Sequence, residues 1–340
     1  MNQGLEGVVA AETSLSMVDG ERGELIIAGY LVEDLAPNAT FEETASLLGV
    51  SSAGDRTLPP IAIEVLRVSA RRKDDPMDAL RAAAGVLVAD QLFAAFPTIV
   101  AAYWRLLHDQ QPIGPRADLR HAANYLFMLT GEMPSDDRVR ALETYLNTVV
   151  DHGLNASTFT ARVITSTGSD LVSAIVGAVG ALKGPLHGGA PGPALDMVFE
   201  IGEPARAEAV LRKKIESGER LMGFGHRVYK VRDPRADVLA AAAERLLSGD
   251  PLYDLAKAVE RTAIRLLEEY KPGRRLQTNV EFYTALLLHG IGLEAPLFTP
   301  TFAISRVAGW IAHCLEQRRA NRIIRPQSIY VGPRGLHWAA

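Results

Sequence analysis

The sequence predicts an all-α, mainly helical fold opened by a short β-hairpin, and three observations carry that prediction. From Asp78 onward the apolar residues recur at helical spacing, the period that lines one face of a helix. Alanine and leucine dominate those stretches, as helix propensity favours. β-Branched residues flanking a turn signal are confined to residues 7–30.

In chain order, Val18-Asp19-Gly20, then Gly23 and Leu25-Ile26-Ile27, read as the hairpin, with Asp-Gly at its turn. Residues 49–59 form a polar loop. Helices are expected over 77–94, 97–108, 119–131, 136–151, 158–183, 191–201, 204–217, 234–247, 252–270, 280–291 and 301–319. Ser135 precedes one of them, with Asp136 and Asp137 in its first turn, where the helix dipole favours acid. Pro234 sits at a first helical position. Gly184-Pro185 and Gly273 stop two others. A second polar break covers 109–117. The break at 184–192 follows a long apolar helix, where a hinge between a larger and a smaller domain is expected.

Composition narrows the class. A length of 340 residues suits two domains or one large one, and 48% apolar residues supply a substantial core. The net charge of -4 argues against a nucleic-acid partner, which calls for a basic surplus. Cys314 is the only cysteine, so a disulfide within the chain is excluded and a cysteine-based zinc site disfavoured. The longest run without Asp, Glu, Lys or Arg is the 14 residues 91–104, short of the roughly 18 a spanning helix needs, so no membrane partner is expected. Arg22 is the first basic residue, after Glu6 and Glu12. That pattern fits neither a secretory signal nor a transit peptide, and a cytoplasmic location is expected.

Five segments hold residues suited to chemistry. His187 lies in Gly184-Pro185-Leu186-His187-Gly188-Gly189-Ala190, ahead of a predicted helix. Glycines let a ligand approach the backbone, and a helix amino terminus keeps a histidine neutral and able to donate a hydrogen bond to an enolate. The same residues also describe a plain glycine-rich connector. Residues 223–235 combine Gly223, Gly225, His226 and four basic residues, which suits an anionic ligand or a solvated charged turn. No strand precedes these glycines, so a dinucleotide fingerprint is weak. Glu281, in Asn279-Val280-Glu281-Phe282-Tyr283, starts an apolar helix; it reads as a general base with a raised pKa or as a solvent-side acid at a helix start. His152 sits in a small polar stretch in which Ser157 or Thr158 suits helix capping. Arg306 lies among Phe302, Ala303, Val307 and Ala308 and needs an acidic partner or a ligand. Arg318, Arg319, Arg322 and Arg325 read as a solvated face. No metal motif occurs, so proton transfer falls to side chains. The combination suggests a small polycarboxylate substrate and carbon-acid chemistry.

The order and spacing of the 184–190, 223–235 and 279–283 motifs resemble the citrate synthase family, and the resemblance runs from Gly4-Leu5-Glu6-Gly7-Val8-Val9 to Arg325-Pro326-Gln327-Ser328. It implies a homodimer in which each chain has a large helical domain (1–186 and 286–340) and a small helical domain (187–285). The cleft between them would bind oxaloacetate and then close over acetyl-CoA, excluding water. By the same resemblance His187 steadies the enolate, Glu281 removes the methyl proton and His226 polarises the oxaloacetate carbonyl. His152, Arg235 and Arg306 hold oxaloacetate, and Arg325 reaches the neighbouring chain's site. Residues 219–230, with Gly223, Gly225 and Lys230, and the pair Arg274 and Arg275 correspond to CoA-contacting segments. The implied reaction is condensation to a citryl thioester and hydrolysis to citrate and CoA, with no metal or cofactor beyond the substrates.

Three departures from the family pattern stand out. Glu281 occupies a position where aspartate is usual, and Thr278 one where proline is usual, which is expected to loosen the approach to Glu281. The 49–59 segment is short, with an expected effect on surface or stability. Two alternatives accompany the main reading: a 2-methylcitrate synthase using propionyl-CoA, and a low-turnover regulatory paralogue that binds oxaloacetate and CoA.

Overall fold

The structure, a computed structural model, describes residues 3–5, 7–188, 191–225, 229 and 231–337. Three strands, β1 (Ser16–Asp19), β2 (Glu24–Ile27) and β3 (Tyr30–Leu31), precede the helices. Among the described residues the α-helices are α1 (Val32–Leu35), α2 (Phe41–Leu47), α3 (Pro60–Arg72), α4 (Pro76–Ala84), α5 (Leu92–Leu107), α6 (His121–Thr130), α7 (Asp136–Val149), α8 (Ala156–Ser166), α9 (Leu171–Leu182), α10 (Pro191–Ile201), α11 (Ala207–Glu216), α12 (Pro234–Leu246), α13 (Pro251–Tyr270), α14 (Val280–Ile291) and α15 (Phe298–Arg319).

The architecture is built around α15. It packs against α5, α7, α8 and α9, and its residues from Phe298 to Cys314 are buried on nearly every side, as expected of a helix without a solvent face. Trp310 and Arg306 are its largest fully buried side chains. A second group forms where α12 packs on α14 and also on α7.

The expected hairpin is an antiparallel sheet in the order β1-β2-β3, with Ser16 opposite Ile27 and Asp19 opposite Glu24. Its turn is longer than Asp-Gly implies. Asp19 Oδ1 accepts from the backbone N–H groups of Glu21 and Arg22, and Gly23 closes the loop at φ +71°. Leu25 and Ile27 turn inward and are fully buried.

Three helix expectations are corrected. The stretch 158–183 is two helices, because Gly168 turns left-handed at φ +84° and Asp170 caps α9 by accepting from Ser173 N at 2.8 Å. Local capping chemistry ends a helix even where the apolar period continues. The expected break before Pro97 is absent: α5 runs from Leu92 to Leu107 with Pro97 inside it. Twelve of its sixteen residues are buried, and that burial outweighs one lost backbone hydrogen bond. Helices α1, α2 and α3 lie in the part of the chain where no helix was expected. The signature of α2 is nonetheless explicit, since Thr40 and Glu43 form a reciprocal capping box. The short 49–59 loop is pinned by Arg56, whose Nη1 donates to Leu119 O at 2.6 Å.

Candidate active site

His187 lies on the turn after α9. Its backbone N–H donates to Gly184 O at 2.9 Å, and Thr299 Oγ1 donates to Gly188 O at 2.8 Å. A Cβ on Gly188 would lie 3.0 Å from Thr299 Cγ2, besides running into Leu182 O, so this turn sits directly on α15. The imidazole Nε2 is 2.8 Å from Ser157 Oγ and 3.4 Å from Ser157 N. A backbone N–H only donates, so Nε2 is assigned as acceptor and the proton of the neutral ring as lying on Nδ1. Burial, with the charge of Arg306 in support, pulls the His187 pKa down to about 4. The ring therefore stays neutral in ordinary buffers. Ser157 is the residue whose role changes: Asn155, not Ser157 or Thr158, caps α8, accepting from Thr158 N at 3.1 Å. Ser157 is left to hold His187, with Trp310 Nε1 donating to its Oγ at 3.1 Å.

Glu281 stands in the first turn of α14, and a short two-stranded pairing sets its position. Gly225 N donates to Gln277 O at 2.7 Å and Asn279 N to Gly223 O at 3.0 Å, with Phe224 opposite Thr278. Asn279 works at both ends of this contact. Its Oδ1 accepts from Glu281 N at 3.0 Å and caps the helix, while its Nδ2 donates to Gly225 O at 2.8 Å. Gly223 has φ +88°, and a Cβ there would lie 2.9 Å from Phe282 Cβ. Both constraints demand glycine. Glu281 is half-buried. Burial raises its pKa to about 7; Arg235 and Arg306 pull it down and Asp233 pushes it up.

Thr278 does not loosen this approach, contrary to the expectation from sequence. It is buried, and its hydroxyl donates to Glu260 Oε1 at 2.7 Å.

The charges of the two expected arginines both act on this carboxylate. Arg235 is buried and donates to Asp233 through Nε at 3.0 Å and Nη2 at 2.8 Å. Its guanidinium also lies 5.7 Å from the ring centre of Tyr229. Arg306 is 1% exposed, donates through Nε to Val149 O at 2.7 Å and lies 4.7 Å from the ring centre of Phe302. Burial lowers its pKa to about 10, against the opposing charge of Asp151. His152 Nε2 is 3.1 Å from Tyr229 Oη. The interactions form a chain: His152 to Tyr229, Tyr229 to Arg235, Arg235 through charge to Glu281, Glu281 through charge to Arg306, and Arg306 to Phe302, whose ring meets His187 at 6.4 Å. Five of the residues expected from sequence thus belong to one cluster.

A supporting relay was missed. Arg162 Nη1 donates to His313 Nδ1 at 2.9 Å, so His313 carries its proton on Nε2 and donates it to Asp151 Oδ2 at 3.1 Å. The same Asp151 oxygen accepts from Ser16 Oγ at 2.5 Å, and Ser16 Oγ accepts from Gly153 N at 2.9 Å. The turn carrying His152 is therefore held from both the buried side and the β-sheet. Arg306, Trp310 and His313 are spaced i, i+4, i+7, a signal that places them on one helix face.

His226 and Lys230 lie outside the described residues. Arg274 and Arg275 are exposed on the link between α13 and α14. Arg325 is exposed in the segment after α15. Among the described residues, no hydrogen bond or ion pair joins these three arginines to the cluster.

Comparison with known proteins follows the same lines. The family model for the citrate synthase C-terminal domain matches residues 4–327. Citrate synthase 2 of Bacillus subtilis is 40% identical over 97% of this chain and 96% of its own length. A 2-methylcitrate synthase of Shewanella oneidensis is 39% identical over 97% and 94%. The ternary complex of Thermoplasma acidophilum citrate synthase with carboxymethyl coenzyme A and oxaloacetate superposes with a TM-score of 0.89 at 30% identity, covering 100% of this chain and 98% of that one.

Proposed function

The chain belongs to the citrate synthase family, and from that premise we propose how its residues carry out the family's reaction. It is an acyl-CoA:oxaloacetate condensing enzyme that converts acetyl-CoA, oxaloacetate and water to citrate and CoA. Glu281 removes a methyl proton from acetyl-CoA. The enolate oxygen accepts a hydrogen bond from neutral His187, and the enol carbon bonds to the oxaloacetate carbonyl carbon. That carbonyl oxygen takes a proton from His226 as it becomes a hydroxyl. Water then cleaves the citryl thioester, releasing citrate and CoA. Arg235, Arg306 and His152 hold the oxaloacetate carboxylates, a task for which the planar guanidinium is suited. No cofactor beyond the substrates enters this scheme.

One observation carries the assignment: a half-buried carboxylate with its pKa raised to about 7 shares its surroundings with two buried arginines and a histidine held neutral. A base needs a pKa near the working pH, an enolate needs a donor that does not surrender its proton, and a dicarboxylate needs cations. The cluster supplies all three. Gly223, Gly225, Lys230, Arg274 and Arg275 are assigned to CoA, and the exposure of the two arginines supports contact with its phosphates.

We assign the start of the small domain to the His187 turn. The return to the large domain is assigned to residue 286, within α14, which runs from Val280 to Ile291. We assign the working form to a cytoplasmic homodimer with Arg325 reaching the neighbouring site. Among the described residues no helix is long and apolar enough to cross a membrane.

The test is thiol release from acetyl-CoA and from propionyl-CoA, each with and without oxaloacetate. Oxaloacetate-dependent release with acetyl-CoA preferred supports citrate synthesis. A higher kcat/KM for propionyl-CoA assigns methylcitrate synthesis; one methyl group is worth only about 1–3 kcal/mol of discrimination. Oxaloacetate binding without release from either thioester overturns the enzyme assignment in favour of a binding paralogue.

A further inference from the structure

One buried carboxylate outside the reaction scheme gathers the segments that carry the scheme's residues. Glu260, on α13, is 4% exposed. Its Oε1 accepts from Thr278 Oγ1 at 2.7 Å and Arg232 Nη1 at 2.9 Å. Its Oε2 accepts from Tyr283 Oη at 2.5 Å, with Lys257 Nζ at 3.5 Å. Arg232 is also paired with Asp237. Burial pushes the Glu260 pKa up, but hydrogen bonds from Tyr283, Thr278 and Arg232 outweigh it and hold the group below the usual carboxylate range.

The donors are not scattered. Thr278 precedes Asn279, which caps α14 and grips the carbonyl of Gly225. Tyr283 follows Glu281 by two residues, and Arg232 precedes Arg235 by three. The two ladder bonds around Thr278 use Gln277 O and Asn279 N, so the Thr278 side chain is the group at this position that ties the pairing to the core. One carboxylate therefore restrains the first turn of α14 on both sides of Glu281 and joins it to the loop that leads to Arg235.

We propose that Glu260 is a positioning residue for Glu281, acting through the hydroxyls of Thr278 and Tyr283. This rests on the assignment of Glu281 as base. A glutamate reaches its substrate through one more rotatable bond than an aspartate, so the placing of its backbone sets the position of its carboxylate. A misplacement near 1 Å costs on the order of a hundredfold in rate.

The experiment compares Thr278→Val, which keeps the shape and removes the hydroxyl, with Thr278→Ser, which keeps the hydroxyl. Glu260→Gln is the second route, should the valine variant fail to fold, and Glu281→Ala the reference. The readouts are kcat, KM for oxaloacetate, and the isotope effect with methyl-deuterated acetyl-CoA. Thr278→Val is expected to lower kcat about tenfold, leave the oxaloacetate KM nearly unchanged and enlarge the isotope effect, because proton removal becomes the slower step. Thr278→Ser recovers both, and Glu260→Gln repeats the loss of kcat and the larger isotope effect. Wild-type kcat and isotope effect in Thr278→Val and Glu260→Gln, with Glu281→Ala inactive, overturns the positioning role and leaves the base assignment intact. A serine variant as impaired as the valine variant also overturns it. Full turnover by Glu281→Ala overturns the base assignment, and the positioning role with it.

Discussion

At the residue scale the behaviour of Glu281 turns on its proton. Burial raises its pKa to about 7, and only the ionised form accepts a proton. For a single controlling group, kcat/KM for acetyl-CoA should climb about tenfold per pH unit below that point and level off above it. His187, with its pKa near 4, adds no second limb in this range, and a pH-independent rate between 5 and 8 would remove Glu281 from the base's role. Stability moves the opposite way. In the unfolded chain a glutamate loses its proton near about 4.3, while the folded chain keeps it to about 7. Between those values the folded state binds more protons, so rising pH removes stability. Glu281→Gln does not titrate, and its urea midpoint should gain on the wild type from pH 4.5 to 7 and then hold a constant lead. Parallel pH responses would contradict the raised pKa. What was legible here was residue type and order. Glu281, His187, Arg235 and Arg306 stand out as polar groups set against glycine or apolar neighbours. Asp151, Ser157 and His313 do not, because they act through partners more than 100 residues away in four of their contacts, or 30 away for Ser157 and His187.

At the element scale the β-sheet is part of the site's frame. Ser16, on β1, bridges Asp151 and Gly153 on either side of His152. At the turn, a Cβ on Gly23 would lie 2.7 Å from Val231 Cγ2 and 3.2 Å from Arg232 O. The hairpin thus touches both the His152 turn and the strand of chain leading to Arg235. Ser16→Ala should raise the oxaloacetate KM several-fold, since the half-buried Gly153 N–H and the buried Asp151 carboxylate each lose a partner, a loss of about 1–3 kcal/mol for a buried group. Gly23→Ala adds left-handed strain to the clash and should cost about 1–3 kcal/mol, read as a lower denaturation midpoint. A Ser16→Ala enzyme with unchanged oxaloacetate KM would reduce the sheet to a mere cover. The sequence marks the hairpin through Asp19, Gly20 and Gly23, yet its docking partners are invisible to a local pattern. The same limit explains the helices. Periodicity finds α7, α12, α14 and α15, whereas it runs α8 and α9 together because the signal that separates them is one glycine and one capping aspartate. At Pro97 the local rule fails for the converse reason, since tertiary burial overrides it.

At the scale of the whole molecule, the segment after α15 is the feature a single chain leaves unexplained. Residues 320–337 contain no helix or strand, and Ile323, Ile329, Tyr330, Val331 and Leu336 are 58%, 68%, 60%, 90% and 80% exposed. A run of exposed apolar side chains marks an interaction surface, and Arg325 lies within it. Nothing in the local sequence distinguishes Arg325 from Arg318, Arg319 or Arg322; only the family pattern assigns it to a neighbouring chain's site. If that assignment holds, each site draws Glu281 from one chain and Arg325 from the other. Arg325→Ala and Glu281→Ala homodimers should then both be nearly inactive. In a mixed dimer, one site carries both lesions and the other carries neither, so co-refolding the two variants should return activity. With random pairing half the dimers are mixed and each has one whole site, so recovery should approach a quarter of wild-type activity per site. Tagging the two variants differently and isolating the heterodimer makes the comparison clean: half of wild-type activity per dimer is expected. An isolated heterodimer as inactive as its parents would return Arg325 to the solvated face and confine the site to one chain.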